Sequence, residues 1–216
     1  MNNNILFLIN NLKIGGAENV FIKQFLYFKN KGIRVKMAVL SGDDFYKKNI
    51  DRILINQQDL FFTNYKGVIN FAAYFRLLEY IKKNKINIIY STLDKANVVA
   101  AILKLFCPSL KIVKRESGMA YRKSWKMKLA DIIFNLFCYK VIAVSEEVQS
   151  SLIAYQLIYK NKIVVLENGV EVKLSSQEIE EIINQKRGNI FKILNVGSMN
   201  NDNKGQIGLV NLIAKL

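Results

Sequence analysis

Histidine is absent from all 216 residues, and that gap removes whole classes of chemistry. Neither a Ser-His-Asp nor a Cys-His nucleophilic scheme can be assembled, and imidazole ligation of a metal is excluded. Carboxylates, hydroxyls, lysine and backbone dipoles are the groups left for catalysis. Cysteine is nearly as scarce. Cys107 and Cys138 sit in apolar surroundings without a CxxC spacing and read as small core residues, not as a disulfide or a metal pair. No metal is expected. Long apolar runs are missing too: Val98–Leu103 and Ile5–Ile9 fall far short of the ~20 residues that a membrane-spanning helix needs. Residues 1–4 carry no positive side chain, which fits a secretory signal poorly, so a cytoplasmic location is expected.

Acids are also few. Against 32 Lys and Arg there are 17 Asp and Glu, a formal charge of +15. Such an excess points to a polyanionic neighbour: a phosphorylated substrate, an acidic membrane or nucleic acid. The abundance of Lys, Asn and Ile also allows a plainer origin, a compositional bias that places lysines on solvated faces. Half of the residues are apolar, enough for a substantial core and against disorder.

What is present alternates regularly. Short β-branched runs at Ile5–Ile9, Ile33–Leu40, Ile86–Tyr90, Lys111–Arg115, Val141–Ser145 and Lys162–Leu166 read as strands. Between them lie amphipathic runs at Ala17–Lys31, Val68–Lys83, Lys95–Phe106, Arg122–Phe137 and Glu146–Tyr155. In the first of these, Phe21, Phe25 and Phe28 share a face and Gly32 stands where a left-handed cap is wanted. The pattern predicts an α/β fold with a mostly parallel sheet and helices on both faces. It is expected to fill residues 1–170, followed by a linker with a helix at 171–188. Residues 189–216, with a strand at Lys192–Val196 and a helix beginning at Lys204, then read as the truncated start of a second domain.

Asn10-Asn11-Leu12-Lys13-Ile14-Gly15-Gly16-Ala17-Glu18 joins the first strand to the first helix. Paired glycines there suit close approach of an anion or a sugar hydroxyl to a helix N-terminus, and equally a tight turn that lets the helix pack. Arg115-Glu116 at a strand end reads either as a ligand contact or as a solvated pair. Tyr121, Trp125, Leu129, Ile132, Ile133 and Leu136 fall on one helical face, with Arg122, Lys123, Lys126 and Lys128 off it. Leu129–Leu136 is expected to face the core. Arg122, Lys123, Trp125 and Lys126 are expected to contact anionic membrane.

Gly15-Gly16-Ala17-Glu18 resembles the GGAE loop of the family 4 glycosyltransferases, which have the two-domain GT-B fold. Ser91-Thr92 with Asn97 and Arg115-Glu116-Ser117 resemble strand-end segments of bacterial members that build surface polysaccharides and lipid-linked glycans. Val144-Ser145-Glu146-Glu147 and Ile163–Val170, with Asn168-Gly169-Val170, follow in the family's order, and Asn195-Val196-Gly197-Ser198 with Lys204-Gly205 resembles the opening of its second domain. Ser198 departs from the family's usual arginine, and no histidine lies near Ser91–Asp94.

The resemblance implies transfer of a sugar from a nucleotide-diphosphate sugar to a glycan or lipid-linked acceptor, with retention and without a metal. Gly15, Gly16, Glu18, Arg115, Glu116 and Lys204 are the binding residues it implies, Lys204 beside the departing diphosphate. The remainder of the donor-binding domain would be supplied in cis or trans, and the chain alone is expected to be inactive. Two rivals remain: a membrane-associated module that binds a saccharide or partner without catalysis, and a basic nucleic-acid-binding protein. The second lacks any helix-turn-helix, zinc-finger or RNP signature, and no nucleic acid is expected as partner.

Overall fold

A computed structural model describes residues 3–13, 15–41, 55–65, 70–169, 175–184, 193–195 and 205–215. The chain divides into two compact units, Met1–Gly169 and Val170–Leu216. The first unit is built on seven strands: β1 (Asn4–Ile9), β2 (Arg34–Val39), β3 (Leu60–Phe62), β4 (Ile88–Thr92), β5 (Lys111–Glu116), β6 (Cys138–Ala143) and β7 (Ile163–Val165). They form one sheet in the order β3-β2-β1-β4-β5-β6-β7, and every neighbouring pair is parallel. Its helices are α1 (Gly16–Asn30), α2 (Phe71–Lys83), α3 (Asp94–Phe106), α4 (Trp125–Asn135) and α5 (Glu146–Gln156). This is the expected Rossmann-like architecture. The short strand β3 was not foreseen, because three residues carry too little alternation to register.

Strand alternation assigns each residue to one of two layers. Phe7, Ile9, Met37, Val39 and Tyr90 face one side, where they bury Phe21 and Phe25 of α1. Leu6, Leu8, Ala38, Ile89, Ile112 and Val141 face the other, against Tyr74, Leu77 and Ile81 of α2, Val99 and Leu103 of α3, and Leu152 of α5. Cys138 is buried with this second group, and neither cysteine is in a disulfide.

Helix α4 reverses the expected polarity. The residues it buries are Asp131 and Asn135, whereas Trp125, Leu129 and Leu136 are 70%, 53% and 71% exposed. The expectation that Leu129–Leu136 faces the core is therefore corrected. The reason lies in β5, whose residues toward α4 are Lys114 and Glu116, both buried. Buried charges demand partners, so the helix turns its polar side inward and its aliphatic side to solvent.

The second unit contains α6 (Ser176–Asn184) and α7 (Gln206–Ile213). Ser175 begins α6 with a reciprocal cap: Glu178 Oε2 accepts the Ser175 N–H at 2.7 Å, and Ser175 Oγ accepts the Glu178 N–H at 3.2 Å. The strand expected at Lys192–Val196 is not formed at Ile193–Asn195, its described part. No strand occurs among the described residues of this unit, so none of them offers a ladder for one to join.

Candidate functional site

Strand order sets where a ligand belongs. Successive strands run outward from β1 to β3, then return to the other side of β1 at β4. The crevice at the carboxyl ends of β1 and β4 is thus the switch point of the sheet, where open α/β proteins bind ligands. A cavity of about 470 Å³ opens there, lined among others by Asn10, Leu93, Asp94, Arg115, Glu116 and Arg122. A larger hollow of about 550 Å³ lies at the start of α5. It is lined by Glu146, Glu147 and two tyrosines with no cation, and it shares only Met119 with the lining of the crevice.

Two backbone features shape the crevice. Leu93, which begins α3, has φ 71° and ψ 150°, a region that side chains strongly disfavour, at a cost of about 1–3 kcal/mol. Packing of Leu93 against the Phe7 and Ile9 cluster holds it there. Having no capping side chain of its own, α3 is capped from across the sheet: Asn10 Oδ1 accepts the Ala96 N–H at 2.7 Å. Asn10 thereby ties the end of β1 to the start of α3 while lining the cavity.

The floor itself is an ionic network, with Asp94, Glu116 and Lys123 in the cavity lining. Lys114 Nζ, on a side chain 2% exposed, is 2.9 Å from both Glu116 Oε1 and Asp131 Oδ1. Lys123 Nζ reaches Asp94 at 2.8 Å, Glu116 at 3.2 Å and Asp131 at 2.8 Å. Asn97 donates to Glu116 at 3.3 Å and Gln156 to Asp131 at 2.9 Å. Burial alone would push the Asp131 carboxyl up and the Lys114 ammonium down. The opposite charges win: Asp131 is held below the usual carboxylate range and Lys114 above the usual lysine range. The carboxylates of Asp94, Glu116 and Asp131 lie within 4.8 Å of one another, as metal ligands would, and the Lys123 ammonium holds the position a cation would take.

On the opposite face of β5, Arg115 stands without a carboxylate partner among the described residues. It is 1% exposed, and its Nη2 donates to Asn168 Oδ1 at 2.7 Å. Burial lowers its pKa against a weaker opposing pull from Tyr90. Its Nη1 has no hydrogen-bond partner, nor has the Oγ1 of Thr92, its register neighbour on β4.

The structure thus gathers some of the anticipated residues and separates others. Arg115, Glu116, Arg122 and Lys123 line one cavity. Trp125 and Lys126 open α4 beside it, between Ser124 and Met127 of its lining. Lys123 leaves the membrane-contact set, because its ammonium is committed to three carboxylates. Gly15 and Gly16 begin α1 at the same edge of the sheet, outside the cavity lining. A β-carbon on Gly15 would collide with the Glu18 carboxylate, which folds back over it, while one on Gly16 would meet open space. Lys204 lies outside the described residues. Asn10 and Thr92 stand in segments that the sequence singled out but were given no role of their own, and Asp94, Lys114 and Asp131 were missed. Only Lys114 left a signal, as a lysine at an inward position of a strand, between Ile112 and Glu116.

Comparison with known proteins agrees with this geometry. The solved structures it resembles include HepE of Anabaena in complex with UDP and glucose, at TM-score 0.63 and 19% identity over 83% of this chain and 49% of that one. A glycosyltransferase from Rickettsia africae gives TM-score 0.62 and 21% identity over 84% and 49%. A UDP-N-acetylglucosamine 2-epimerase from Rickettsia bellii gives 0.59 and 13% over 78% and 45%. At these identities the likeness is one of fold, and the chain spans about half the length of these proteins. A search of the curated proteins finds no match. Residues 14–174 match the family model described as Glycosyltransferase Family 4, a span that takes in the Gly15-Gly16 loop and strands β2 to β7, and the chain belongs to that family.

Proposed function

We propose that this chain is the acceptor-side domain of a retaining glycosyltransferase that moves a sugar from a nucleotide-diphosphate sugar to a glycan or lipid-linked acceptor in surface polysaccharide or glycan synthesis. The observation that carries the reading is the polar crevice at the switch point of a family 4 sheet. Asn10, Asp94, Glu116 and Arg122 offer hydroxyl-binding and charged groups there, and the unpaired N–H groups of the first turn of α1 face the same edge, where a dipole favours a phosphate. Donor binding would fall chiefly to a second domain, to which Lys204 would contribute. Release of UDP from UDP-sugars, followed over a panel of acceptors, tests this. The chain alone is expected to bind acceptor saccharide and to show no turnover, and a family 4 donor-binding domain added in trans is expected to restore it. Saccharide binding without turnover even then would leave a binding-only module, and turnover to an epimeric UDP-sugar without transfer would replace the reading by an epimerase.

The outer face of α4 supports action at an anionic membrane from the cytoplasmic side. Trp125, Leu129, Ile133 and Leu136 are exposed along it, and Lys126 lies over the Trp125 ring at 5.6 Å. No helix among the described residues is long and apolar enough to cross a membrane, so contact would be peripheral. Basic residues near an anionic surface contribute ~1 kcal/mol each, and each large apolar side chain about 1.5–3 kcal/mol when buried. Sedimentation with phosphatidylglycerol vesicles is expected to lose at least about thirtyfold in partitioning for Arg122→Glu with Lys126→Glu, and as much for Leu129→Ser with Ile133→Ser. Equal binding to neutral vesicles, or no effect of either pair, would remove the membrane from the reading.

A further inference from the structure

We infer that Arg115 and Thr92 form a recessed recognition site for a phosphate group of the ligand that enters the crevice. The inference rests on the proposed role of that crevice as the acceptor site. Buried polar atoms almost always find partners, and an unmatched one calls for an explanation. Among the described residues three side-chain atoms are buried without one, and two of them, Arg115 Nη1 and Thr92 Oγ1, belong to residues paired in register on adjacent strands. Register partners in a parallel sheet share a face about 4.8 Å apart. The two residues are therefore neighbours on one face at the carboxyl ends of β5 and β4, with Arg115 in the lining of the crevice and Thr92 directly beside it.

Charge sharpens the assignment. The carboxylates of Asp94 and Glu116 that line the crevice are bound to Lys123, and Glu116 to Lys114 as well. Arg115 has only the neutral Asn168 amide. Its positive charge is thus buried and uncompensated, a state that a protein maintains at a loss unless an anion completes it. A guanidinium with an open N–H and a neighbouring unpartnered hydroxyl suit a phosphate, and the guanidinium fork favours tetrahedral oxyanions. The crevice of about 470 Å³ leaves room for the sugar that the phosphate carries.

Thr92→Val tests the site without altering charge, and it separates two explanations. If Thr92 is structural, removing its hydroxyl destabilises the fold. If it awaits a ligand, replacing an unsatisfied buried hydroxyl by a methyl of equal shape leaves the midpoint temperature unchanged or raised, while phosphate binding weakens by about tenfold. The 216-residue protein is titrated with inorganic pyrophosphate, with a phosphorylated saccharide and with vesicles containing an alkyl diphosphate, using the fluorescence of Trp125 beside the crevice. The first two arms read a soluble phosphate and the third a lipid headgroup. Arg115→Met is expected to lose at least as much as Thr92→Val in every arm that binds. Unchanged pyrophosphate affinity in Thr92→Val, or a fall in its stability, overturns the proposal. Binding of neutral saccharide with no phosphate binding also overturns it, while leaving the crevice as an acceptor site. Loss of all saccharide binding in the unaltered protein would instead remove the acceptor reading itself.

Discussion

Lys123→Ala is expected to lower the stability of the first unit by about 3–5 kcal/mol, the usual consequence of stripping one partner from a buried ionic group. Its ammonium touches Asp94, Glu116 and Asp131, and only Lys114 would remain to balance them. In a unit of this size the loss corresponds to a fall in midpoint temperature on the order of 10 °C. The substitution should also create something. Three carboxylates within 4.8 Å of one another form an oxygen cage of the kind that hard cations occupy, so millimolar Mn²⁺ or Ca²⁺ is expected to restore stability to the variant and not to the parent. Urea titrations with and without metal measure both effects, and a loss below about 1 kcal/mol would show that the network is only loosely formed.

The same network fixes the sign of the pH response. The folded-state pKa of Asp131 is depressed, so its contribution is present above the unfolded carboxylate value of about 3.9 and disappears as pH falls through the folded value. Those of Lys114 and Lys123 are raised, so their contribution is complete below the ordinary lysine value near 10.4 and is lost as pH climbs through the folded values. Because no histidine titrates in between, this part of the stability is flat across neutrality.

Amides of β1 and β4 are expected to exchange with solvent at least about four orders of magnitude more slowly than those of α6 and α7. The central strands open only with the whole unit, at a free energy of about 5 kcal/mol or more. Helices α6 and α7 bury no residue. Ile183, Val210 and Leu212 are exposed, and helices of nine and eight residues are marginal without tertiary support. Hydrogen exchange read by mass spectrometry on a verified monomer distinguishes the two units directly. Comparable protection in Gly208–Ile213 and Ile5–Ile9 would mean that the second unit draws stability from burial that its side chains do not show.

Legibility of the sequence followed the physics of each element. The parallel sheet was readable because β-branched runs such as Ile5–Ile9 and amphipathic runs such as Phe21–Phe28 differ in period, and because helical connections require parallel neighbours. Helix α4 was misread for the opposite reason. Its aliphatic stripe obeys the ordinary period, and nothing in Trp125–Asn135 itself announces that the polar side is the buried one. That fact belongs to Lys114 and Glu116 on another element, and it emerges only when β5 is laid beside α4. In the crevice, Arg115 and Glu116 were accessible because they end a strand. The segments of Asn10 and Thr92 were visible too, but their roles were not, since these depend on Ala96 and on the register of β4 with β5, relations between segments far apart in the chain.

Helix α4 also carries two competing instructions. Rotated half a turn about its axis, it would offer Leu129, Ile133 and Leu136 to the sheet, a packing that an ordinary hydrophobic interior would welcome. The charges on β5 refuse that setting, so they work as a key that admits one rotational state of the helix. It follows that the greasy outer surface is written in the interior. Replacing Lys114, Glu116 and Asp131 together by apolar residues would withdraw the key, let the helix roll, and erase a candidate membrane face without altering any residue on it.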